Sequence, residues 1–203
     1  MAQPSCTPVA SPVPVISPLF CTPYPVDLAI VRKFTILTDG NYVVKDANGN
    51  ILFKVKGSFL DMRNRRVLLD AAGNPIVTLR QKIMSAHSRW KVFRGDSSDT
   101  DQDLLFSAKQ SSFIQLKTKL DVFLASNTAE EVCDFKVRGS WWGGSCVIYA
   151  GDSSTIVAEM HKKQSIQSLF LGKDKFMVTV HPNMDYAFIV ALIVILDYIK
   201  NEG

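Results

Sequence analysis

Ala187-Phe188-Ile189-Val190-Ala191-Leu192-Ile193-Val194-Ile195-Leu196 is apolar at every position, and the reading of this run decides the fold. Tyr186 and Tyr198-Ile199 extend it, with Asp197 interrupting. As a helix, the 14 residues from 186 to 199 span about 21 Å at 1.5 Å per residue. A bilayer core needs about 30 Å and about 20 residues. The run is short for a span, and Asp185, Asp197 and Lys200 bracket it with charge. It is long for a strand, since strands usually stop near about eight residues. The remaining reading is a helix, about 184–200, hydrophobic all round and therefore buried on every side. Asn183 and Asp185 supply its cap and first-turn acid.

Upstream, residues 28–181 alternate as half-buried strands do. Phe53 and Val55 alternate with Lys54 and Lys56. Cys133, Phe135 and Val137 alternate with Asp134, Lys136 and Arg138, which puts Cys133 on the inner face. Phe176, Val178 and Val180 alternate with Lys175, Met177 and Thr179. The turns Asp46-Ala47-Asn48-Gly49-Asn50 and Asp70-Ala71-Ala72-Gly73-Asn74 share one pattern. A type I turn followed by a left-handed Gly closes an antiparallel hairpin in each. Tyr149-Ala150-Gly151-Asp152 reads as a further hairpin. About a dozen short strands follow one another as a meander.

A helix that is apolar on every face needs apolar walls all around it. A flat sheet covers one side, whereas a closed barrel covers all sides and removes edge strands. The expected architecture is mainly β: about twelve antiparallel strands in a barrel enclosing the C-terminal helix, one domain over 27–203.

Residues 1–26 differ in kind. They hold seven of the nine prolines, and no charged side chain precedes Asp27. Proline fixes φ and removes donors, so the segment is expected to be a disordered or polyproline-like tail. It has neither a basic start nor an unbroken apolar stretch, so no secretory leader is expected. Reduced cysteines and an intracellular address are the corresponding expectations.

Several blocks resemble the plant LURP-one-related family. They are Val67-Leu68-Leu69-Asp70 with Gly73-Asn74-Pro75, Leu79-Arg80-Gln81-Lys82, and Trp90-Lys91-Val92-Phe93-Arg94-Gly95. The ending from Val180-His181-Pro182 through Asp197 completes the likeness, which covers roughly residues 25 to 200. That family is similar in fold to the tubby C-terminal domain and the phospholipid scramblases. The resemblance implies a twelve-stranded barrel around a central helix and no established enzyme activity. It also implies relatives linked to pathogen defence, phosphoinositide binding, and a membrane-tethered role in transcription.

No phosphate-cradling loop, dinucleotide glycine pattern, nucleophile elbow or paired metal histidines occur. Ser88-x-x-Lys91 is a chance-level match without partner motifs, and the acidic run Asp96, Asp99, Asp101, Asp103 lacks the Gly and Glu of a calcium loop. No enzyme activity, metal or cofactor is expected.

The basic residues say more. Residues 54–94 hold ten Lys/Arg against Asp61 and Asp70, a local net of +8 within a chain of net +4. Lys54/Lys56, Arg63/Arg65, Arg80/Lys82 and Arg89/Lys91 are spaced i, i+2, which places each pair on one face of a strand. Together with Arg66 they form the expected stripe on the barrel exterior, a candidate site for anionic membrane lipids. The competing expectation is an ordinary solvated strand face. Trp141-Trp142 reads as a core pair or a membrane-insertion loop.

Two alternatives of other classes remain: a scramblase-like lipid handler whose terminal helix enters the bilayer, and a scaffold using the Pro-rich tail as ligand for protein partners. Nucleic acid is not an expected partner. A monomer in the cytoplasm, peripheral to the plasma membrane or in the nucleus, is.

Overall fold

The computed structural model describes residues 11–35, 38–57, 65–82, 89–96, 101–110, 118–140, 144–163 and 175–201. The first six strands are β1 (Val26–Thr35), β2 (Thr38–Lys45), β3 (Ile51–Gly57), β4 (Arg65–Asp70), β5 (Pro75–Lys82) and β6 (Arg89–Arg94). The second six are β7 (Leu104–Gln110), β8 (Thr118–Leu124), β9 (Phe135–Ser140), β10 (Ser145–Ala150), β11 (Ile156–Lys163) and β12 (Lys175–Val180). One helix, α1 (Tyr186–Asn201), follows. Each strand pairs with its sequence neighbours, and β12 returns antiparallel to β1 with Val180 opposite Val26, so the sheet closes. The expected twelve-stranded barrel with its C-terminal helix is the fold.

The helix forms inside because its side chains match what the strands turn inward. Every residue from Ala187 to Leu196 is buried. Around it stand Leu28, Ile30, Phe53, Val55, Leu79 and Val92 from the inner strand faces. Phe188 meets Phe106 edge-on at 5.0 Å and Phe135 at 4.9 Å, and Trp90 meets Tyr198 at 4.9 Å. A helix in this position has no face left for lipid. The bilayer-entering helix of the scramblase-like alternative is therefore not the arrangement of this structure. Among the described residues, no helix is long and apolar enough to cross a membrane.

The two Asp-Ala-x-Gly-Asn turns are built alike. Asp46 Oδ1 accepts from Asn50 N at 2.8 Å, and Asp70 Oδ1 accepts from Asn74 N at 2.8 Å. Gly49 at φ 87° and Gly73 at φ 102° supply the left-handed step, which a side chain would resist.

The barrel has two mouths. At the N-mouth α1 begins, and the connections 46–50, 71–74, 125–134 and 151–155 lie there. At the C-mouth α1 ends, beside the start of β4 and β6 and the end of β5 and β7. Trp141 and Trp142 fall outside the described residues.

The N-terminal segment corrects an expectation. Residues 11–25 are not a loose tail but a strap across the N-mouth. Pro18–Phe20 makes a 3₁₀ turn capped by Ser17. Val13 N donates to Asn183 O at 2.8 Å, and Asn183 N donates to Thr22 O at 2.6 Å. Phe20 stacks edge-on against Phe53 and Tyr186, each at 5.5 Å. The prolines do exclude long helix and inner strand, but the Val13 amide finds Asn183 O and the Val15, Ile16 and Ser17 amides find the Asp185 carboxylate.

Candidate anion-binding face

The antiparallel register decides which cations become neighbours. Arg65 on β4 is directly opposite Arg80 on β5, and Arg80 is opposite Lys91 on β6. One step nearer the C-mouth, Lys82 is opposite Arg89, and Arg89 is opposite Lys109 on β7. The result is a staggered grid on the outer face beside the C-mouth, two rows of three cations offset by one strand and spread over four strands. Directly opposed Cα atoms lie about 4.5–5.5 Å apart, and residues two apart along a strand about 7 Å. The six cations therefore occupy roughly 15 Å by 7 Å.

Counter-charges reach the grid from Asp96 and Glu130. Arg65 pairs with Asp96, and Arg89 pairs with Glu130. Glu130 sits in the connection after β8, which folds over the outside of β7 and β8. Ser107 and Phe123, outward in phase, are consequently buried. Lys82 and Lys109 stay exposed, and Arg80 and Lys91 are half-buried.

The remaining sequence candidates separate. Lys54 points outward nearer the N-mouth, where its Nζ donates to Ala71 O at 2.8 Å. Lys56 is exposed one strand beyond the grid. Arg63 lies outside the described residues. Arg66 is a correction: it does not join the exterior stripe but is buried at 6% exposure within the barrel, its guanidinium 4.9 Å over the Tyr198 ring. Consecutive strand residues face opposite ways, so Arg65 outside forces Arg66 inside. Lys109, absent from the sequence candidates, completes the grid. It has no i+2 basic partner, and only the β6–β7 register brings it there.

Beside Lys109 opens a cleft of about 500 Å³, also lined by Asp121, Phe123, Glu130, Cys133 and Arg138. Its charges are mixed, and Arg138 pairs with Asp121 at 2.6 Å. Cys133 corrects another expectation. It precedes β9 and is half-buried on this outer cleft, not on the inner barrel wall. Burial pushes its thiol up, and the nearby Asp121 charge adds to this, the opposite of what an activated nucleophile needs. No histidine lines the cleft. Among the described residues, no group of His, Cys, Asp and Glu is placed to hold a metal ion.

Inside the C-mouth lies a second set of charges that the sequence did not suggest. Asp197, fully buried on α1, accepts from the Tyr42 hydroxyl and sits 3.3 Å from Arg32 Nη1. Tyr42 is held protonated by burial and by the Asp197 charge, which push its pKa well above the usual phenol value.

A closed antiparallel barrel filled by its own C-terminal helix is the tubby-like class of fold. A family model described as LURP-one-related matches residues 26–197. The chain is 59% identical over 196 residues to protein LURP-one-related 15 of Arabidopsis thaliana, covering 97% of this chain and 89% of that protein. It is 52% identical over 192 residues to protein LURP1 of the same plant, covering 95% and 92%. An X-ray structure of an Arabidopsis thaliana protein, 50% identical, matches with a TM-score of 0.73 over 92% of this chain and 98% of that one. The chain belongs to the LURP-one-related family. The names of these relatives carry no enzymatic activity.

Proposed function

We propose that this protein is a regulatory binding module that docks the C-mouth flank of its barrel on anionic membrane surfaces, phosphoinositide head groups above all. A place in plant defence signalling, which the family resemblance implies, belongs to the same reading. The observation that carries it is the grid. Arg65–Arg80, Arg80–Lys91, Lys82–Arg89 and Arg89–Lys109 are four like-charge pairs on directly opposed positions. Like charges opposed across a sheet repel, and a bound polyanion offsets that repulsion. The patch is broad enough to meet several phosphates at once.

The rest of the molecule supports the same orientation. The N-mouth connections and the strand end beside them carry Asp46, Asp70, Asp134 and Asp152. Charge is thus sorted along the barrel axis, and such a field turns the basic end toward an anionic surface. Each Lys or Arg near that surface contributes about 1 kcal/mol.

Liposome co-sedimentation tests this. Replacing Lys82, Lys91 and Lys109 by Ala is expected to weaken partition onto phosphoinositide vesicles by roughly 100-fold, the equivalent of about 3 kcal/mol. Lys54→Ala, away from the grid, is the control expected to leave binding unchanged. Equal pelleting of the triple variant and the wild type defeats the assignment of the site. No binding by the wild type at low salt defeats the membrane reading altogether.

A further inference from the structure

The N-terminal strap holds an observation independent of the basic grid. Four of the seven prolines in the first 25 residues follow a serine or threonine: Thr7-Pro8, Ser11-Pro12, Ser17-Pro18 and Thr22-Pro23. Neither later proline does, since Asn74 precedes Pro75 and His181 precedes Pro182. A hydroxyl followed by proline is what a proline-directed protein kinase reads.

Among these sites Ser17 has a distinctive position. Its backbone is extended, φ −157° and ψ 143°, as a residue before proline prefers. Pro18 and Leu19 beyond it are exposed, Leu19 at 84%. The Ser17 Oγ accepts from Leu19 N at 3.3 Å in an exposed contact. Its own N–H, however, donates inward to Asp185 Oδ2 at 3.0 Å. The same oxygen accepts from Ile16 N at 2.7 Å and Val15 N at 3.2 Å. Asp185 has no exposed surface. The strap is therefore latched on one buried carboxylate, and half-buried Ser17 keeps its hydroxyl in an exposed contact within a residue's width of it.

We propose that Ser17 is a phosphorylation site for a proline-directed kinase, and that its phosphate unlatches the strap from Asp185 and opens the N-mouth of the barrel. In the reaction the Ser17 oxygen attacks the γ-phosphorus of a nucleoside triphosphate. The bond to the nucleoside diphosphate breaks, and the hydroxyl proton passes to the kinase's base. The product carries nearly two negative charges beside a buried carboxylate that cannot turn away or hydrate. Arg94, exposed and donating from Nη1 to Ile16 O at 3.2 Å, is the nearby cation. If it turns to the phosphate it leaves Ile16 O, and a further strap bond is lost. Both responses loosen the same segment. Phe20 leaves with it, uncovering Phe53 and Tyr186. Thr22 differs, since its hydroxyl donates to Tyr24 O at 2.8 Å and it makes no bond to Asp185.

The test uses the full chain, a recombinant proline-directed kinase and ATP, with site mapping by mass spectrometry and amide hydrogen exchange. The expected result is phosphate on Ser17 and at least tenfold faster exchange at the amides of Val15, Ile16 and Ser17, with the strands unchanged. Ser17→Ala should keep slow exchange after the same treatment. Phosphate only on Ser11 or Thr22 overturns the proposal, as does phosphate on Ser17 with unaltered exchange. Charge repulsion predicts that Asp185→Asn shrinks the acceleration. It also predicts that added salt shrinks it in the wild-type chain, a measurement that stands should the variant not fold. Acceleration indifferent to salt overturns the electrostatic latch.

Discussion

The helix carries a fully buried aspartate at each end, and the two are held by opposite means. Asp185, the N-cap, is surrounded by backbone dipoles: its Oδ1 accepts from Phe188 N at 3.0 Å, and its Oδ2 takes the three strap amides. Asp197, in the last turns, is surrounded by side chains, with Arg32 and the Tyr42 hydroxyl in contact. Helix polarity accounts for the contrast. The N-terminus presents free N–H groups and a positive partial charge, which suits a carboxylate. The C-terminus presents carbonyls and a negative one, so an anion buried there needs a full cation. One end of the plug is thus solvated by dipoles and the other neutralised by charge.

Breaking the charged end should cost most. Asp197→Ala leaves Arg32 buried without its counter-charge and is expected to lose about 3–5 kcal/mol of stability, read by chemical denaturation. Replacing Arg32 by Met and Asp197 by Leu together should recover most of that loss. A double variant as unstable as the single would show that the pair does more than neutralise itself.

At the dipolar end, Asp185→Ala removes a helix cap and three backbone acceptor contacts, for roughly 2–3 kcal/mol. It should also release the strap, seen as new protease cleavage near residues 13–22. Unchanged cleavage would detach the strap from Asp185. The pH dependence sharpens the point. Burial raises the Asp185 pKa above the usual carboxylate value, and its four backbone hydrogen bonds only partly offset this. The folded chain therefore takes up that proton before the unfolded chain does. The resulting stabilisation is absent above the raised value, grows as pH falls through it, and is complete below the unfolded value. Measured against Asp185→Asn, wild type should gain relative stability on acidification. A relative loss would contradict a raised pKa.

The exposed turns should respond least and with the reverse sign. Asp70 is lowered chiefly by the Asn74 side-chain bond and then by the Asn74 amide. Its contribution is present above the ordinary carboxylate range and disappears as pH falls through the lowered value. Asp70→Ala should give the smallest shift in Tm of the three aspartate variants, and one that vanishes in acid.

The barrel was legible because its signals are local and redundant. The 187–196 run has no polar face to show water, and strands such as Ile51–Gly57 alternate cleanly. The latch at Asp185 was not legible, because it joins residues about 170 positions apart and uses amides that every residue carries. Proline content marked residues 11–25 as irregular but could not show that irregular backbone was captured. Asp197 read as a charge ending an apolar run, whereas it lies fully buried inside the wall beside Arg32. Of the basic face, the i, i+2 pairs were visible and the grid was not, since register assigns Lys109 to it. Arg66 was recoverable from parity alone: it is in phase with buried Leu68, not with Arg65.

Because β1 closes on β12 and α1 follows both, the sheet cannot seal until nearly all of this domain has left the ribosome. Until then the early strands wait with their greasy sides uncovered, and Val26 waits for Val180. Such long-range closure is slow and exposes the nascent chain to aggregation. The core helix is made after every wall of its barrel, an order that exposes the growing chain for longer than the local contacts of a helical bundle would.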